Sequence, residues 1–260
     1  MSSRVLRKAA SKFSWYHWAG GAALAGGFNA ALLGGMVQSY RWWYSDYEEE
    51  MRVFERRFGR PTEAQRLEVY TWLADKYDLT IGMNEKSGVN KRREDLLQGA
   101  SGSVLEVAVG TGRCFEALRE CNGVERFVGI DCVEAMLKEA RKKAENLPFP
   151  VELMHADAHK LPFPDNSFDA VVGTLCLCAL ERPVVALDEM ARVCRPGGSV
   201  LLLEPGLAAS WPVRVFQRYL GLVPNPKHAW EFGWYDDIDP VALVKSSRLS
   251  LESVKTRAMG

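Results

Sequence analysis

Residues 104–113, with the sequence VLEVAVGTGR, constrain the fold of this 260-residue chain more than any other stretch. A short apolar run rich in β-branched residues ends in a glycine-rich turn, Gly110-Thr111-Gly112, and a helix is expected from Cys114. This pattern predicts a buried parallel strand, a tight loop and a helix whose N-terminus faces a ligand. Asp131 closes the next apolar run. Polar groups at the ends of adjacent strands predict a nucleotide-binding crevice.

Strand and helix patterns alternate through the rest of the chain. Strands are predicted at Val104–Val107, Arg126–Ile130, Val151–Met154, Ala170–Gly173 and Ser199–Leu203. Helices are predicted at Cys114–Glu120, Val133–Asn146, Arg182–Val193, Trp211–Tyr219 and Asp239–Lys245, and a capping box at Thr62–Gln65 opens one more that runs to about Lys76. The alternation predicts an α/β fold with a doubly wound, mostly parallel sheet. We assign residues 101–260 to this domain and residues 45–100 to a helical linker that covers the ligand as a lid.

An apolar segment at residues 15–44 predicts an N-terminal transmembrane helix. Aromatic residues flank its core, and from Trp18 to Tyr40 a helix covers roughly 33 Å, close to the hydrocarbon thickness of a bilayer. Small residues at i, i+4 spacing allow another helix to approach closely. We therefore expect a partner transmembrane helix of another subunit against Ala22, Ala23, Gly26, Gly27, Ala30, Ala31, Gly34 and Gly35.

Residues 1–14 carry four basic side chains and no acidic one. On a helix, the basic residues share one face, which resembles a mitochondrial targeting helix. A secretory signal peptide is the competing interpretation, although the following apolar stretch is long and has no clear cleavage site. We expect a single-pass protein of the mitochondrial inner membrane. The side of the membrane that the domain faces stays open, because Arg41 and later arginines offset the N-terminal positive charge.

The overall composition is consistent with a reducing compartment. Basic and acidic residues balance at 33 each, so global charge indicates no nucleic-acid partner. The six cysteines form no CxxC pair, and several fall in predicted core elements. Reduced buried thiols are therefore favoured over disulfides or a zinc site, and no metal site is predicted.

The glycine loop and three acids indicate which nucleotide binds. A dinucleotide fingerprint needs a third glycine, which is missing after Gly112 and disfavours a nicotinamide-dependent dehydrogenase. Glu106 precedes the loop, where a carboxylate would repel a pyrophosphate and attract a cationic amino acid. Asp131 can accept from both ribose hydroxyls, and Asp157, after the third strand, can accept from an adenine amino group. The set favours S-adenosylmethionine.

With these residues, the chain resembles a class I S-adenosylmethionine-dependent methyltransferase of the ubiquinone/menaquinone-biosynthesis type. The resemblance rests on residues 105–113 (LEVAVGTGR), 161–172 (LPFPDNSFDAVV) and 192–198 (RVCRPGG). It is closer still to membrane-anchored mitochondrial methyltransferase-like proteins, through Tyr77-Asp78, residues 174–178 (TLCLC), 203–206 (LEPG) and the segment from His228 to Ile238.

The resemblance implies roles for single residues. Glu106, Gly110 and Gly112 would hold the methionine end of the cofactor, Asp131 the ribose, and Asp157 with Ala158 the adenine, with Thr174 beside the sulfonium. Thr111 and Cys132 are further expected cofactor contacts. No catalytic residue is assigned: His228 is the first candidate base, followed by His159 and His155, and structural roles are favoured for all three. Cys176 and Cys178 are favoured as apolar filler, and Phe163 and Phe168 as core.

Two departures from the family pattern matter. Ala108 stands where the family usually has a further glycine. After the fifth strand, Leu249–Thr256 can form only one more strand, whereas the family usually ends in a hairpin of two. We therefore expect either a six-stranded sheet or an edge that another chain covers. Two functions follow: a membrane-anchored methyltransferase acting on a small or membrane-adjacent acceptor, or a structural or assembly subunit of a mitochondrial inner-membrane complex that keeps the fold with little or no catalysis.

Overall fold

The structure, a computed structural model, describes residues 49–80, 88–205, 226–235 and 238–255. The predicted targeting segment, the transmembrane helix with its partner face and the helix Trp211–Tyr219 lie outside these residues. Within the described ranges, no helix is both long and apolar enough to cross a membrane. The chain divides into two compact units, Met1–Val53 and Phe54–Gly260, and the elements below belong to the second.

Five parallel strands form the sheet, each at a predicted position. They are β1 (Gly102–Val107), β2 (Val124–Asp131), β3 (Val151–His155), β4 (Phe168–Thr174) and β5 (Cys194–Leu203). Their spatial order is β3-β2-β1-β4-β5, and every neighbouring pair is parallel. The order reverses between β1 and β4, which creates the switch point where open α/β sheets bind ligands. The parallel α/β prediction is confirmed.

Helices connect and precede the strands. They are α1 (Glu63–Leu73), α2 (Val89–Leu97), α3 (Phe115–Arg119), α4 (Glu134–Ala144), α5 (Pro183–Val193), α6 (Pro226–Glu231) and α7 (Pro240–Lys245). The predicted capping box is present, with the Gln65 N–H donating to the Thr62 hydroxyl and the Thr62 N–H donating to the Gln65 side chain. The helix predicted from Cys114 begins at Phe115 and has only five residues, because the glycine loop continues as turns to residue 114.

Alternate residues of β1 pack into two hydrophobic cores on opposite faces of the sheet. Leu105 and Val107 join the core that contains α5, whereas Val104 joins the core beneath α2, α3 and α4. Because side chains alternate along a strand, Glu106 lies on the same face as Val104. The predicted core residue Phe168 is buried and makes an edge-to-face contact with Phe163.

Arg192 joins two of the sequence stretches that carry the family resemblance. Its guanidinium donates to the carbonyls of Leu161 and Phe163, at 3.0 and 2.8 Å, and to Glu189. The Arg192 carbonyl accepts from the Asn166 N–H. One side chain at the end of α5 therefore closes the long connection between β3 and β4.

The expected strand at Leu249–Thr256 is wrong for the described residues. Residues 249–255 contain no strand, and the described sheet ends with β5. The backbone N–H of Arg248 donates instead to Asp188, and that of Leu249 donates to the Ser247 hydroxyl. Side chains thus satisfy the backbone donors at the start of this segment.

Candidate functional site

The loop after β1 has a backbone that favours glycine at three positions. Gly110 and Gly112 have φ of +56° and +77°, and Ala108 has φ of +58°. For an alanine, the left-handed region costs about 1–2 kcal/mol. The loop is also tied to β2, because the Val109 N–H donates to the Ile130 carbonyl at 2.9 Å. Ala108 thus adopts the backbone conformation of the glycine that the family usually has there, at a small cost in free energy.

Asp131 connects the glycine loop to the end of β2. Its Oδ2 accepts from the Gly110 N–H at 2.9 Å, and its Oδ1 accepts from the Val133 N–H at 2.8 Å. Burial raises the pKa of Asp131 to about 6, and the two N–H donors oppose that rise. Each carboxylate oxygen keeps a second lone pair for a ligand hydroxyl. The carboxylate is therefore held rigidly in an orientation that suits a ribose.

Glu106 is a buried carboxyl with an unused oxygen. The residue is 1% exposed, and its Oε2 has no hydrogen-bond partner among the described residues. Burial raises the pKa of Glu106 to about 7; a hydrogen bond with Cys114 and the positive charge of Arg93 oppose this. Buried acceptors in native proteins nearly always have a partner. An orphaned carboxylate oxygen beside the glycine loop fits a cationic ligand group.

Thr174, the last residue of β4, lies next to the buried carboxyl of Glu106. Its hydroxyl donates to Glu106 Oε1 at 3.4 Å and lies 3.4 Å from the Cys114 sulfur. Parallel pairing of β1 with β4 places Glu106 opposite Val172, two residues before Thr174. The predicted sulfonium neighbour and the predicted methionine-end acid are therefore in contact.

Asp157 lies on the opposite side of Asp131, beyond β3. Burial raises the pKa of the neighbouring Cys132 thiol to about 12, and the negative charges of Asp131 and Asp157 add to the rise. The Asp157 side chain is 60% exposed and accepts from the backbone N–H and the ring Nδ1 of His159. Ala158 is buried in the core. Glu106, Asp131 and Asp157 thus line one edge of the sheet, as the sequence predicts.

The candidate histidines have structural surroundings. His159 is buried between Asp157 and the Arg182 N–H, and the His155 ring lies 3.0 Å from the Cys132 carbonyl. His228 packs with the rings of Phe232 and Trp234, at centroid distances of 5.7 and 6.3 Å. These contacts favour the structural role for all three. All six cysteines are free thiols, and Cys176 and Cys178 are buried.

Two charged residues near the site were not assigned a role from sequence. Asp78 accepts a 2.6 Å hydrogen bond from the Thr111 hydroxyl and also contacts Lys143 and Arg113. This links the predicted lid to the glycine loop. Arg93, in α2, is 3% exposed, and its positive charge opposes the rise in the pKa of Glu106 that burial causes. Asp78 belongs to the Tyr77-Asp78 pair that is part of the family resemblance. Arg93 has no such signal in the sequence, where it looks like any arginine on the surface of a helix.

Comparisons with known proteins agree with this geometry. Residues 105–202 match the family model described as "Methyltransferase domain". A phosphatidylethanolamine N-methyltransferase of Cereibacter sphaeroides is 32% identical over 177 residues, which cover 67% of this chain and 83% of that protein. The chain belongs to the class I S-adenosylmethionine-dependent methyltransferases. Its cofactor is S-adenosylmethionine.

Other relatives of this methyltransferase share the domain over a shorter span. A demethylmenaquinone methyltransferase of Bacillus cereus is 36% identical over 53% of this chain, and one of Thermus thermophilus is 35% identical over 52%. The alignments span 60% and 64% of those two proteins. Among solved structures, a Bacillus halodurans methyltransferase superimposes with a TM-score of 0.51 at 25% identity, covering 62% of this chain and 70% of that one. A Thermotoga maritima methyltransferase has the same fold, with a TM-score of 0.52 at 19% identity over 70% of this chain and 79% of that one.

The residues of this methyltransferase fit the cofactor chemically. S-adenosylmethionine supplies a methyl group on a positively charged sulfur and also carries an ammonium, a ribose and an adenine. The orphaned Glu106 oxygen suits the cationic end, and the fixed Asp131 carboxylate suits the ribose. Around such a cofactor, the protein contributes alignment and exclusion of water more than proton transfer.

Proposed function

We propose that this methyltransferase is anchored in the mitochondrial inner membrane and methylates an acceptor of the quinone or phospholipid class at the membrane surface. The observation that carries the catalytic half is the meeting of Glu106, Asp131 and Thr174 around the glycine loop at the sheet's switch point. The acceptor class is supported by the relatives, which are named for phosphatidylethanolamine and demethylmenaquinone. The apolar segment at residues 15–44 supports the anchor.

In this proposal, the cofactor follows the carboxyl edge of the sheet. Glu106, Gly110, Thr111 and Gly112 hold its methionine end. Asp131 and Cys132 hold the ribose, Asp157 and Ala158 the adenine, and Thr174 lies beside the sulfur. The acceptor nucleophile attacks the methyl carbon, the carbon–sulfur bond breaks, its electron pair stays on sulfur, and the acceptor proton goes to solvent or to a nearby base.

Two measurements on the full-length protein in phospholipid vesicles test the enzymatic part. Calorimetry measures binding of S-adenosylmethionine, and transfer of a labelled methyl group is then measured with phosphatidylethanolamine vesicles and with a reduced demethylmenaquinone in vesicles. Asp131→Asn is the matched control, because the amide cannot accept from both the Gly110 and Val133 N–H groups. Transfer to one of the two acceptors, lost in the control, supports the proposal. Binding without transfer to either acceptor rejects the acceptor class.

A second function has one observation in its favour. In the described residues, β5 pairs on one side only, with β4, and such an edge can accept a strand from another chain. Together with the small-residue face of the apolar segment, this favours a subunit of a membrane complex. Alkaline extraction of mitochondrial membranes tests the anchor, and cross-linking in the membrane tests the partner helix. Recovery of only the monomer would count against the partner.

A further inference from the structure

We propose that Glu204 is a positioning residue of the methyl-transfer site. It fixes the turn after β4, and that turn fixes Thr174 relative to the segments on the other side of the crevice. This inference rests on the proposed methyltransferase function. It gives a role to a carboxyl that belongs to none of the cofactor contacts described above.

The turn after β4 has a backbone that needs external support. Leu175, which follows Thr174 directly, has φ of +54°, a conformation that bulky residues rarely adopt. Its N–H donates to the Leu203 carbonyl at 2.7 Å, and a short 3-10 helix, Leu177–Ala179, follows. Such outliers persist only where their surroundings hold them, and they cluster at functional sites.

Glu204 supplies that support from the neighbouring strand. It is the first residue after β5, and its Oε1 accepts from the N–H groups of Cys176 and Leu177 at 2.8 and 2.9 Å. The residue as a whole is half-buried, but its Oε2 is buried and has no partner among the described residues. One carboxyl oxygen therefore holds two successive peptide groups just beyond the strained leucine.

The state of the carboxyl is consistent with a fixed, enclosed group. Burial raises the pKa of Glu204 to about 7, opposed by the N–H donors of Leu177 and Cys176 and by the Cys176 thiol. Glu204, after β5, contacts the turn at Cys176 and Leu177, and Glu106, in β1, contacts Thr174 at its start. Because Oε1 already accepts from two backbone N–H groups of the turn, the geometry assigns Glu204 to positioning.

The turn that Glu204 holds connects two parts of the crevice. At its start, the Thr174 hydroxyl contacts Glu106 and the Cys114 sulfur. At its end, the Cys178 carbonyl accepts from the Tyr235 N–H at 2.8 Å, and the Ala179 carbonyl accepts from Arg66. The Arg66 guanidinium also lies 5.0 Å from the centre of the Tyr235 ring. A shift of the turn would therefore move Thr174 relative to the segments on the far side.

Three variants of the full-length protein test this inference. Glu204→Ala removes both hydrogen bonds, Glu204→Gln keeps an oxygen that can accept both, and Glu252→Ala is a control at an exposed carboxyl. The readouts are the affinity for S-adenosylhomocysteine, kcat and KM with the acceptor that the wild type methylates, and amide hydrogen exchange of residues 174–179. Glu204→Asp is a further variant, which keeps the carboxylate but is one methylene too short to reach both N–H groups.

We expect Glu204→Ala to bind S-adenosylhomocysteine like the wild type, to lose kcat by about 10- to 100-fold with little change in acceptor KM, and to lose exchange protection in the turn. Glu204→Gln should restore most of kcat and of the protection. Where the alanine variant does not fold, Glu204→Asp should lose kcat and turn protection in the same direction. Wild-type kcat or wild-type turn protection in Glu204→Ala would overturn the inference, as would a glutamine variant as impaired as the alanine one.

The exchange measurement needs no acceptor, so it separates the two proposals. If the wild type transfers no methyl group, the proposed function fails. Turn protection that is lost in Glu204→Ala and kept in Glu204→Gln would still support the positioning role, and unchanged protection in Glu204→Ala would reject it.

Discussion

Adding one methyl group to Gly110 or to Gly112 should separate cofactor binding from folding. Both residues have positive φ, but their surroundings differ. A Cβ at Gly110 would meet nothing within 4 Å, whereas a Cβ at Gly112 would lie 2.5 Å from a ring carbon of Phe115. Gly110→Ala therefore projects into open space beside the loop, where the cofactor is proposed to lie, and Gly112→Ala projects into the core.

The magnitudes follow from these contacts. Each alanine is held in the left-handed region, which costs about 1–2 kcal/mol. Gly112→Ala adds overpacking, typically about 1–3 kcal/mol, because Phe115 is 2% exposed and makes an edge-to-face contact with Phe127 that prevents its retreat. The expected loss in the free energy of unfolding is about 1–2 kcal/mol for Gly110→Ala and about 2–5 kcal/mol for Gly112→Ala. Alanine also lowers the conformational entropy of the unfolded chain, and the resulting gain in stability is the same for both variants.

Urea unfolding and calorimetry with S-adenosylhomocysteine measure the two effects in parallel. Gly110→Ala should weaken binding roughly tenfold or more, about 1.4 kcal/mol, because the added methyl keeps the cofactor from the backbone. Folded Gly112→Ala should lose less affinity and more stability. Equal destabilisation by the two variants would refute the packing argument, and unchanged affinity in Gly110→Ala would refute the placement of the cofactor.

Three further changes test the neighbouring contacts. The pKa of Glu106 is raised from 4.5 to about 7 on folding, so its contribution to the free energy of unfolding should fall as pH rises from about 4.5 to 7. Glu106→Gln should flatten that part of the pH profile of stability, measured by urea unfolding. An unchanged slope in the variant would contradict the burial argument. Binding of a cationic ligand by ionised Glu106 should also tighten through pH 7 in the wild type and not in the variant. Asp131→Asn should cost about 1–3 kcal/mol in urea unfolding, because its amide group turns a donor toward Gly110 or Val133; wild-type stability would rule out these hydrogen bonds. Thr111→Val, but not Thr111→Ser, should increase hydrogen exchange of residues 77–80, and equal exchange in both would show that the hydroxyl bond to Asp78 does not hold the lid.

The sheet and its crevice could be predicted because their signals are local in sequence. The run before Gly110 is apolar and β-branched, and Val104–Val107 are all buried in β1. Acids just after apolar runs mark the ends of strands, and parallel pairing then brings Glu106 and Asp131 to one edge. The capping box at Thr62 needs only residues three positions apart, and it is present.

Features that depend on contacts distant in sequence could not be predicted. Leu249–Thr256 has a strand-like composition, but the N–H groups of Arg248, just before it, and of Leu249 donate to the side chains of Asp188 and Ser247. Arg93 looks like a surface residue until α2 packs on the sheet. The role of Glu204 depends on a turn 28 residues earlier, which only β4–β5 pairing brings within reach.

The guanidinium of Arg192 has a consequence for how variants of this chain should be diagnosed. It anchors the peptide that leads from Asp157 and Ala158 back toward β4, yet it sits at the end of α5, away from the glycine loop. A substitution of Arg192 would loosen the peptide on the adenine side of the crevice while the strands stay paired. Variants at Arg192 should therefore show weakened nucleotide retention together with a lower melting temperature, because the Leu161 and Phe163 carbonyls lose their donor.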